Sequence, residues 1–202
     1  MNRRRQTNTL GSTDIRRLEA AKYNAEKLGR PLNCFATFNP VRGGGTFTKD
    51  PADLFGDVRN WIKMRLRRYG IEPTAIWTIE NSPAGDCPHL HVYLHLPPKL
   101  ISDFRAAFTR NYPGYDAGGT VADVQPDNGR AKLHWPSGRI GSRFHYMTKQ
   151  MDAQARYARR NRVWAEPPGP FTGSRFGMTA NIFVSAAEII AAKAASDAQR
   201  AA

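Results

Sequence analysis

Apolar residues recur every three or four positions over residues 54–66, at Leu54, Val58, Trp61, Ile62 and Leu66. That period predicts one buried helix face. Asp50-Pro51 supplies a cap and a first-turn proline, so the helix is expected to start there and run to Tyr69, just before Gly70. An earlier helix is expected to open at Ser12, Thr13 or Asp14 and to close near Gly29, with Ile15, Leu18, Ala25 and Leu28 turned inward. Alternation of two marks a strand over Cys34-Phe35-Ala36-Thr37-Phe38, ended by Asn39-Pro40 and a Gly43-Gly44-Gly45 loop. Two more strands, Thr74 to Glu80 and His89 to Leu96, are joined by the turn-rich Asn81-to-Pro88 segment and predict an antiparallel pair. A helix from Ile101 to Asn111, a strand from Val121 to Gln125 and a long basic helix from Ile140 to Arg162 follow. After a Pro-rich break at Glu166 to Pro170, Arg175 to Val184 reads as a last strand and Ser185 to Ala202 as an Ala-rich helix. Helices interleaved with hairpin-like strands predict an α+β class: an antiparallel sheet covered by helices. The expected organisation is a flexible basic arm over 1–12, one domain over 13–184 and a terminal helix over 185–202.

Composition narrows the function. A chain of 202 residues suits one domain with extensions. Hydrophobic residues make up 41% and aromatics 10%, enough for a core, which argues against wholesale disorder. No run approaches the roughly 18 apolar residues that cross a bilayer, so no membrane association is expected. Met1-Asn2-Arg3-Arg4-Arg5 is followed by polar residues, which is not the pattern of a secretory leader. Cys34 and Cys87 are too few for a disulfide scaffold, and a cytoplasmic protein with reduced thiols is expected. Against 17 acidic residues stand 30 Lys and Arg, a net charge of +13. Many of the arginines are grouped, which favours a polyanionic partner, nucleic acid above all, over general solubility.

The sharpest chemical signal is Pro88-His89-Leu90-His91-Val92-Tyr93-Leu94-His95. On a strand, His89, His91 and His95 share one face while Leu90, Val92 and Leu94 face the core. Two imidazoles two residues apart can converge on one metal ion. A polar strand face with incidental histidines is the plainer alternative, but three of the five histidines fall within the seven residues from His89 to His95. Glu80 ends the preceding strand and would lie beside them, completing a set of two histidines and one carboxylate. Imidazole with hard oxygen favours Mg²⁺ or Mn²⁺ over a closed zinc site. Cys87 alone is a weak argument for zinc, and His95, two pleats further on, is a spare or substrate-contacting residue.

The second signal is Tyr146-Met147-Thr148-Lys149-Gln150. On a helix, Lys149 and Gln150 face the same way as the Tyr146 hydroxyl. A tyrosine is a usable nucleophile toward phosphorus when a cation stabilises its phenolate. Tyrosines on helices more often simply pack, and Tyr157, nearly on the same face, competes for the role. Arg156, Arg159, Arg160 and Arg162 could follow a phosphate backbone, as could Arg59, Lys63, Arg67 and Arg68 on the earlier helix. A solvated helix face accounts for them equally well residue by residue.

Taken in order, Phe35-Ala36-Thr37-Phe38, then Glu80 with His89-Leu90-His91, then Tyr146 with Lys149, the chain resembles the HUH endonucleases over roughly residues 32–160. It is most similar to the rolling-circle replication initiators of plasmids and single-stranded DNA phages. The tyrosine follows the histidines, whereas relaxases of that superfamily usually place it before them. The resemblance implies a five-stranded antiparallel sheet with the two histidines on a central strand and the tyrosine on a facing helix. It also implies a metal held by His89, His91 and Glu80 that polarises a scissile phosphate in single-stranded or hairpin DNA. Tyr146 would attack, forming a 5′-phosphotyrosine link and a free 3′-hydroxyl that primes synthesis, with Lys149 stabilising the charge.

Position 150 is Gln, so a two-tyrosine centre is not implied; Gln150 also resembles the glutamine that accompanies the nucleophile in single-tyrosine HUH transposases. No Gly-x-x-x-x-Gly-Lys-Ser/Thr loop occurs, so replication would draw on a host helicase. The alternative from another class is a non-enzymatic basic DNA- or RNA-binding protein with structural histidines. The target sequence and the oligomeric state are not legible.

Overall fold

The computed structural model describes residues 6–7, 9–41, 49–112, 122–126, 133–134, 140–141, 143–150 and 169–201. In chain order these form β1 (Gln6–Thr7), α1 (Ser12–Lys27), β2 (Cys34–Phe38), α2 (Pro51–Arg68), β3 (Ala75–Glu80), β4 (His89–Leu94) and α3 (Ile101–Asn111). There follow β5 (Ala122–Pro126), β6 (Leu133–His134), β7 (Ile140–Gly141), α4 (Arg143–Met147), β8 (Phe171–Thr172), β9 (Phe176–Met178) and α5 (Ala186–Ala201). Five strands make one antiparallel sheet in the order β5-β2-β4-β3-β9, with the histidine strand β4 at its centre. The α+β class and the antiparallel β3–β4 pair are those the sequence predicts. Two short pairs, β1 with β8 and β6 with β7, stand apart from this sheet.

Alternation along the strands divides the sheet into two different faces. Cys34, Ala36 and Phe38 of β2, Ala75 and Ile79 of β3, Leu90, Val92 and Leu94 of β4, and Val124 of β5 pack against α2 and α3. Those helices contribute Phe55, Val58, Ile62, Leu66, Phe104 and Phe108, an apolar layer that we call the helix-covered face. On the other face Phe35, Ile76 and Tyr93 meet Leu18, Ala21 and Ala25 of α1 and Phe144 and Met147 of α4. This second face also carries Thr37, Thr78, Glu80, His89 and His91, one position out of step with the core residues.

The helix ends follow local chemistry. Asp50 accepts the Ala52 amide at 2.8 Å, Pro51 fills the first turn and Gly70 leaves α2 with φ 71°. Phe55 is fully buried on α2, whereas Leu54 and Trp61 are only partly so. On α1, Leu28 is half exposed past the helix end, and Ala21 takes an inward position instead.

Three expectations need correction. The long basic helix is interrupted at both ends: Ile140–Gly141 is a strand paired with β6, and α4 ends at Met147. There the Thr148 hydroxyl donates to the Phe144 carbonyl at 2.9 Å, a side-chain bond that competes with continuing the helix. The last strand is short, because the Thr179 hydroxyl accepts the Ala75 amide and a 3₁₀ turn follows over Ala180–Ile182. Part of the expected basic arm is bound: Gln6 and Thr7 pair with β8, and the buried Leu10 donates its amide to the Gln150 carbonyl at 3.0 Å. The Arg3-Arg4-Arg5 run and the Gly43-to-Gly45 loop lie outside the described residues.

Candidate metal centre

The β3–β4 register places Glu80 directly opposite His89 and Thr78 opposite His91, so the carboxylate is across from one imidazole and diagonal to the other. Glu80 Oε2 lies 3.0 Å from His89 Nε2 and 3.2 Å from His91 Nε2. One ligand atom from each of the three residues falls within 4.8 Å of the others. The outer nitrogens are engaged elsewhere. His89 Nδ1 is 3.1 Å from the Cys87 carbonyl, so it donates there and leaves Nε2 to face the carboxylate. His91 Nδ1 meets the Thr37 hydroxyl of β2 at 3.0 Å. Orientation of an imidazole through its second nitrogen is the usual way a ligand histidine is held.

The donor set fits a cation. Glu80 Oε1 and His91 Nε2 are buried without a hydrogen-bond partner, and such orphaned acceptors are costly unless something satisfies them. Glu80, His89 and His91 can together hold a metal ion, and two imidazoles with one carboxylate are compatible with a divalent one.

Lys149 enters the same group. Its Nζ is 2.9 Å from Glu80 Oε2, and the side chain is buried. Burial would raise the Glu80 carboxyl, but the neighbouring His91 and Lys149 and the hydrogen bond from His89 hold it well below the usual carboxylate range. Against the pull of burial, hydrogen bonds to Cys87 and Glu80 push His89 up to about 9. His91 is pushed down to about 4 by burial, with His89 and Lys149 adding to it against Glu80. Two imidazoles thus share one carboxylate, which favours the charged form of His89, while burial favours the neutral form of His91.

Tyr146 lies at this centre. Its ring stands edge-on to His91 with centroids 5.1 Å apart, rests against Phe35 at 6.2 Å, and has the Lys149 ammonium 3.9 Å from its centroid. The structure therefore brings together Glu80, His89, His91, Tyr146 and Lys149 from three separate stretches of chain. Lys149 reaches the tyrosine from beyond the end of α4 and not from the next helical turn.

Gln150 is also present, but its side chain is spent on the backbone. Its Oε1 accepts the Asn81 amide at 3.1 Å and its Nε2 donates to the Asn81 carbonyl at 2.6 Å. The Arg175 guanidinium, almost fully buried, donates to the same Oε1 at 2.9 Å and to the carbonyls of Ile79 and Gly169. Burial pushes Arg175 down to about 10, opposed by the charge of Glu80. Gln150 and Arg175 together fix the end of β3 beside the segment that carries Tyr146 and Lys149.

The remaining sequence candidates separate from the site. His95 falls past the end of β4, where its Nδ1 meets the Pro31 carbonyl at 2.9 Å, about 13 Å along the chain from His91. Arg59, Lys63, Arg67 and Arg68 belong to α2, which covers the opposite face of the sheet. Tyr157, Arg156, Arg159, Arg160 and Arg162 lie outside the described residues.

No family model, curated protein or solved structure matches the chain. The centre is therefore described by its own geometry. Thr37, Asn81 and Arg175 are parts of it that sequence reasoning did not assign. Alternation along β2 could have placed Thr37 on the histidine face, but nothing local marks Arg175, two of whose partners, Gln150 and Ile79, are 25 and 96 residues away.

No helix among the described residues is long and apolar enough to cross a membrane.

Proposed function

We propose that this protein is a metal-dependent, sequence- or structure-specific endonuclease and strand transferase acting on single-stranded or hairpin DNA, with Tyr146 as nucleophile. The observation that carries this reading is the packing of one tyrosine ring and one lysine ammonium against a buried two-histidine, one-carboxylate group. A protein that only binds DNA has no need of that convergence. The basic composition supports a polyanionic substrate.

Glu80, His89 and His91 would hold Mg²⁺ or Mn²⁺, which would supply Lewis-acid polarisation of a phosphoryl oxygen. Through their Nδ1 atoms, Thr37 and the Cys87 carbonyl orient the two imidazoles so that Nε2 of each lies near Glu80. The Lys149 ammonium, 3.9 Å from the centre of the phenol ring, offers a positive charge to the phosphate. The Tyr146 oxygen attacks phosphorus and the bond to the 3′ oxygen breaks. The phenol proton passes to solvent, and the departing 3′ oxygen takes one up. The products are a 5′-phosphotyrosine link and a free 3′-hydroxyl. Because the phosphodiester is exchanged and not hydrolysed, attack by a second 3′-hydroxyl on the link releases Tyr146 and joins strands.

A free 3′-hydroxyl can prime synthesis, so the biological role we propose is initiation of rolling-circle replication, with a host helicase as partner. The test is direct. Purified protein mixed with a pool of labelled single-stranded oligonucleotides and Mn²⁺ should retain label on denaturing SDS gels, and EDTA should abolish it. Tight DNA binding without any adduct, together with no detectable metal binding, would instead support the non-enzymatic binding protein.

A further inference from the structure

On the helix-covered face, α2 and the β3–β9 edge of the sheet enclose a groove of about 370 Å³ that is separate from the metal centre. Trp77 lies at its floor, three residues before Glu80 on the same strand but on the opposite face, about 10 Å away along β3. Arg59, Lys63 and Arg67 line it from α2. Their four-residue spacing makes a single row of cations about 6 Å apart along the helix. That interval resembles the separation of successive phosphates on an extended single strand.

The row is chemically distinct from the other cations nearby. Arg65 is paired with Asp103, Lys49 with Asp57 and Arg30 with Glu72, a carboxylate that also lines the groove. Among the described residues Lys63 and Arg67 face no carboxylate partner and are exposed. Like charges at this spacing repel in the free protein, and a polyanion laid along the row relieves that repulsion.

The floor adds a flat surface. The Arg59 guanidinium stacks on the indole of Trp77, 3.9 Å from the ring. Opposite Trp77 in the sheet stands Gly177, where a Cβ would come within 2.2 Å of the indole, so only bare backbone lets the ring lie over the edge strand. An arginine–tryptophan plane beside a row of cations combines the stacking and electrostatic elements that hold single-stranded nucleic acid without reading its sequence.

We propose that this groove is a second site, which binds a short stretch of single-stranded nucleic acid through its backbone on Arg59, Lys63 and Arg67 and through stacking at Arg59–Trp77. It goes beyond the proposed nuclease activity and does not require it. The site gives the protein a grip on the strand away from the metal centre, beside β9, the end strand of the sheet among the described residues.

The test is binding of a fluorescent oligothymidylate in EDTA, so that no nicking takes part and a failure of the nuclease reading is not a failure of this one. The double variant Lys63→Gln/Arg67→Gln changes only exposed side chains, and an unchanged melting temperature verifies its fold. The slope of log affinity against log salt should fall by about 1.4 for the two phosphate contacts removed, with a several-fold loss of affinity at low salt. The control Arg16→Gln/Lys99→Gln removes the same charge from exposed positions that do not line the groove, and should leave both nearly unchanged. Equal losses in the two variants would mean that net charge alone acts, and would overturn the proposal. An unchanged slope in the Lys63→Gln/Arg67→Gln variant would overturn it too. So would tighter, variant-sensitive binding of an oligoglutamate peptide, which would make the groove a protein-docking site.

Discussion

The two faces of the central sheet are built from the same strands and solve opposite problems. The helix-covered face is closed by aromatic and aliphatic packing, with Phe38, Phe55, Phe104 and Phe108 all buried. The histidine face buries charge instead: Glu80, His91, Lys149 and Arg175 are each at most 4% exposed. Apolar burial is non-directional and tolerates many arrangements of similar volume. Buried charge is directional and costly unless each group meets a partner. The difference teaches where this fold places its buried charge. The first face sets stability, and the second commits part of that stability to holding groups whose chemistry needs a fixed geometry.

That comparison can be broken most sharply at Glu80. Glu80→Gln keeps the shape but strips the carboxylate from Lys149 and His89, so metal binding should vanish in calorimetric titration. The metal-free protein should lose about 3–5 kcal/mol, as when one partner of a buried ion pair is removed. Retained metal affinity would place the ligands elsewhere. On the opposite face, Phe104→Ala should cost about 3–5 kcal/mol in denaturant unfolding and leave metal affinity unchanged. A matching fall in metal affinity would show that the two faces do not act separately.

Thr37→Val probes the site at lower cost. It removes the hydroxyl that holds His91 Nδ1 while conserving volume, and metal affinity should fall about 10–100-fold with little change in melting temperature. Unchanged affinity would remove Thr37 from the account.

The smallest effect is in the pH profile of the metal-free protein. His89 is raised from 6.5 to about 9, so its contribution is complete below 6.5 and is lost as pH rises through 9. His91 is lowered from 6.5 to about 4, so its contribution is present above 6.5 and is lost as pH falls toward 4. Stability should peak near pH 6.5, and His89→Gln should flatten the alkaline limb alone. At neutral pH, metal binding should also release about one proton, taken from His89, which titration in buffers of different ionisation enthalpy would detect.

Much of this division was legible in the residue pattern. Period-two alternation in His89-Leu90-His91-Val92-Tyr93-Leu94 separates ligands from core, and the short Asn81-to-Pro88 connection brings Glu80 beside them. Asp50-Pro51 and Gly70 marked α2 because caps are local chemistry. The parts that were not legible depend on distant partners. Helical spacing suggested Tyr146, Lys149 and Gln150 on one face, but Thr148 turns the chain, and Gln150 goes to the Asn81 backbone, 69 residues away. Arg59, Lys63, Arg67 and Arg68 were candidates to follow a phosphate backbone, with no position relative to the histidines. The side of the sheet that a helix covers is a tertiary fact, and α2 covers the other one.

The measurement that tests the central claim most directly is the transfer of label from single-stranded DNA to Tyr146→Phe, set beside the unaltered protein in Mn²⁺. The account predicts a metal-dependent covalent adduct with the unaltered protein, mapped to Tyr146 by mass spectrometry. It predicts none with the variant, whose DNA affinity should be nearly unchanged because only one hydroxyl is lost. An adduct of equal yield in Tyr146→Phe would contradict the assignment and move the nucleophile to another residue.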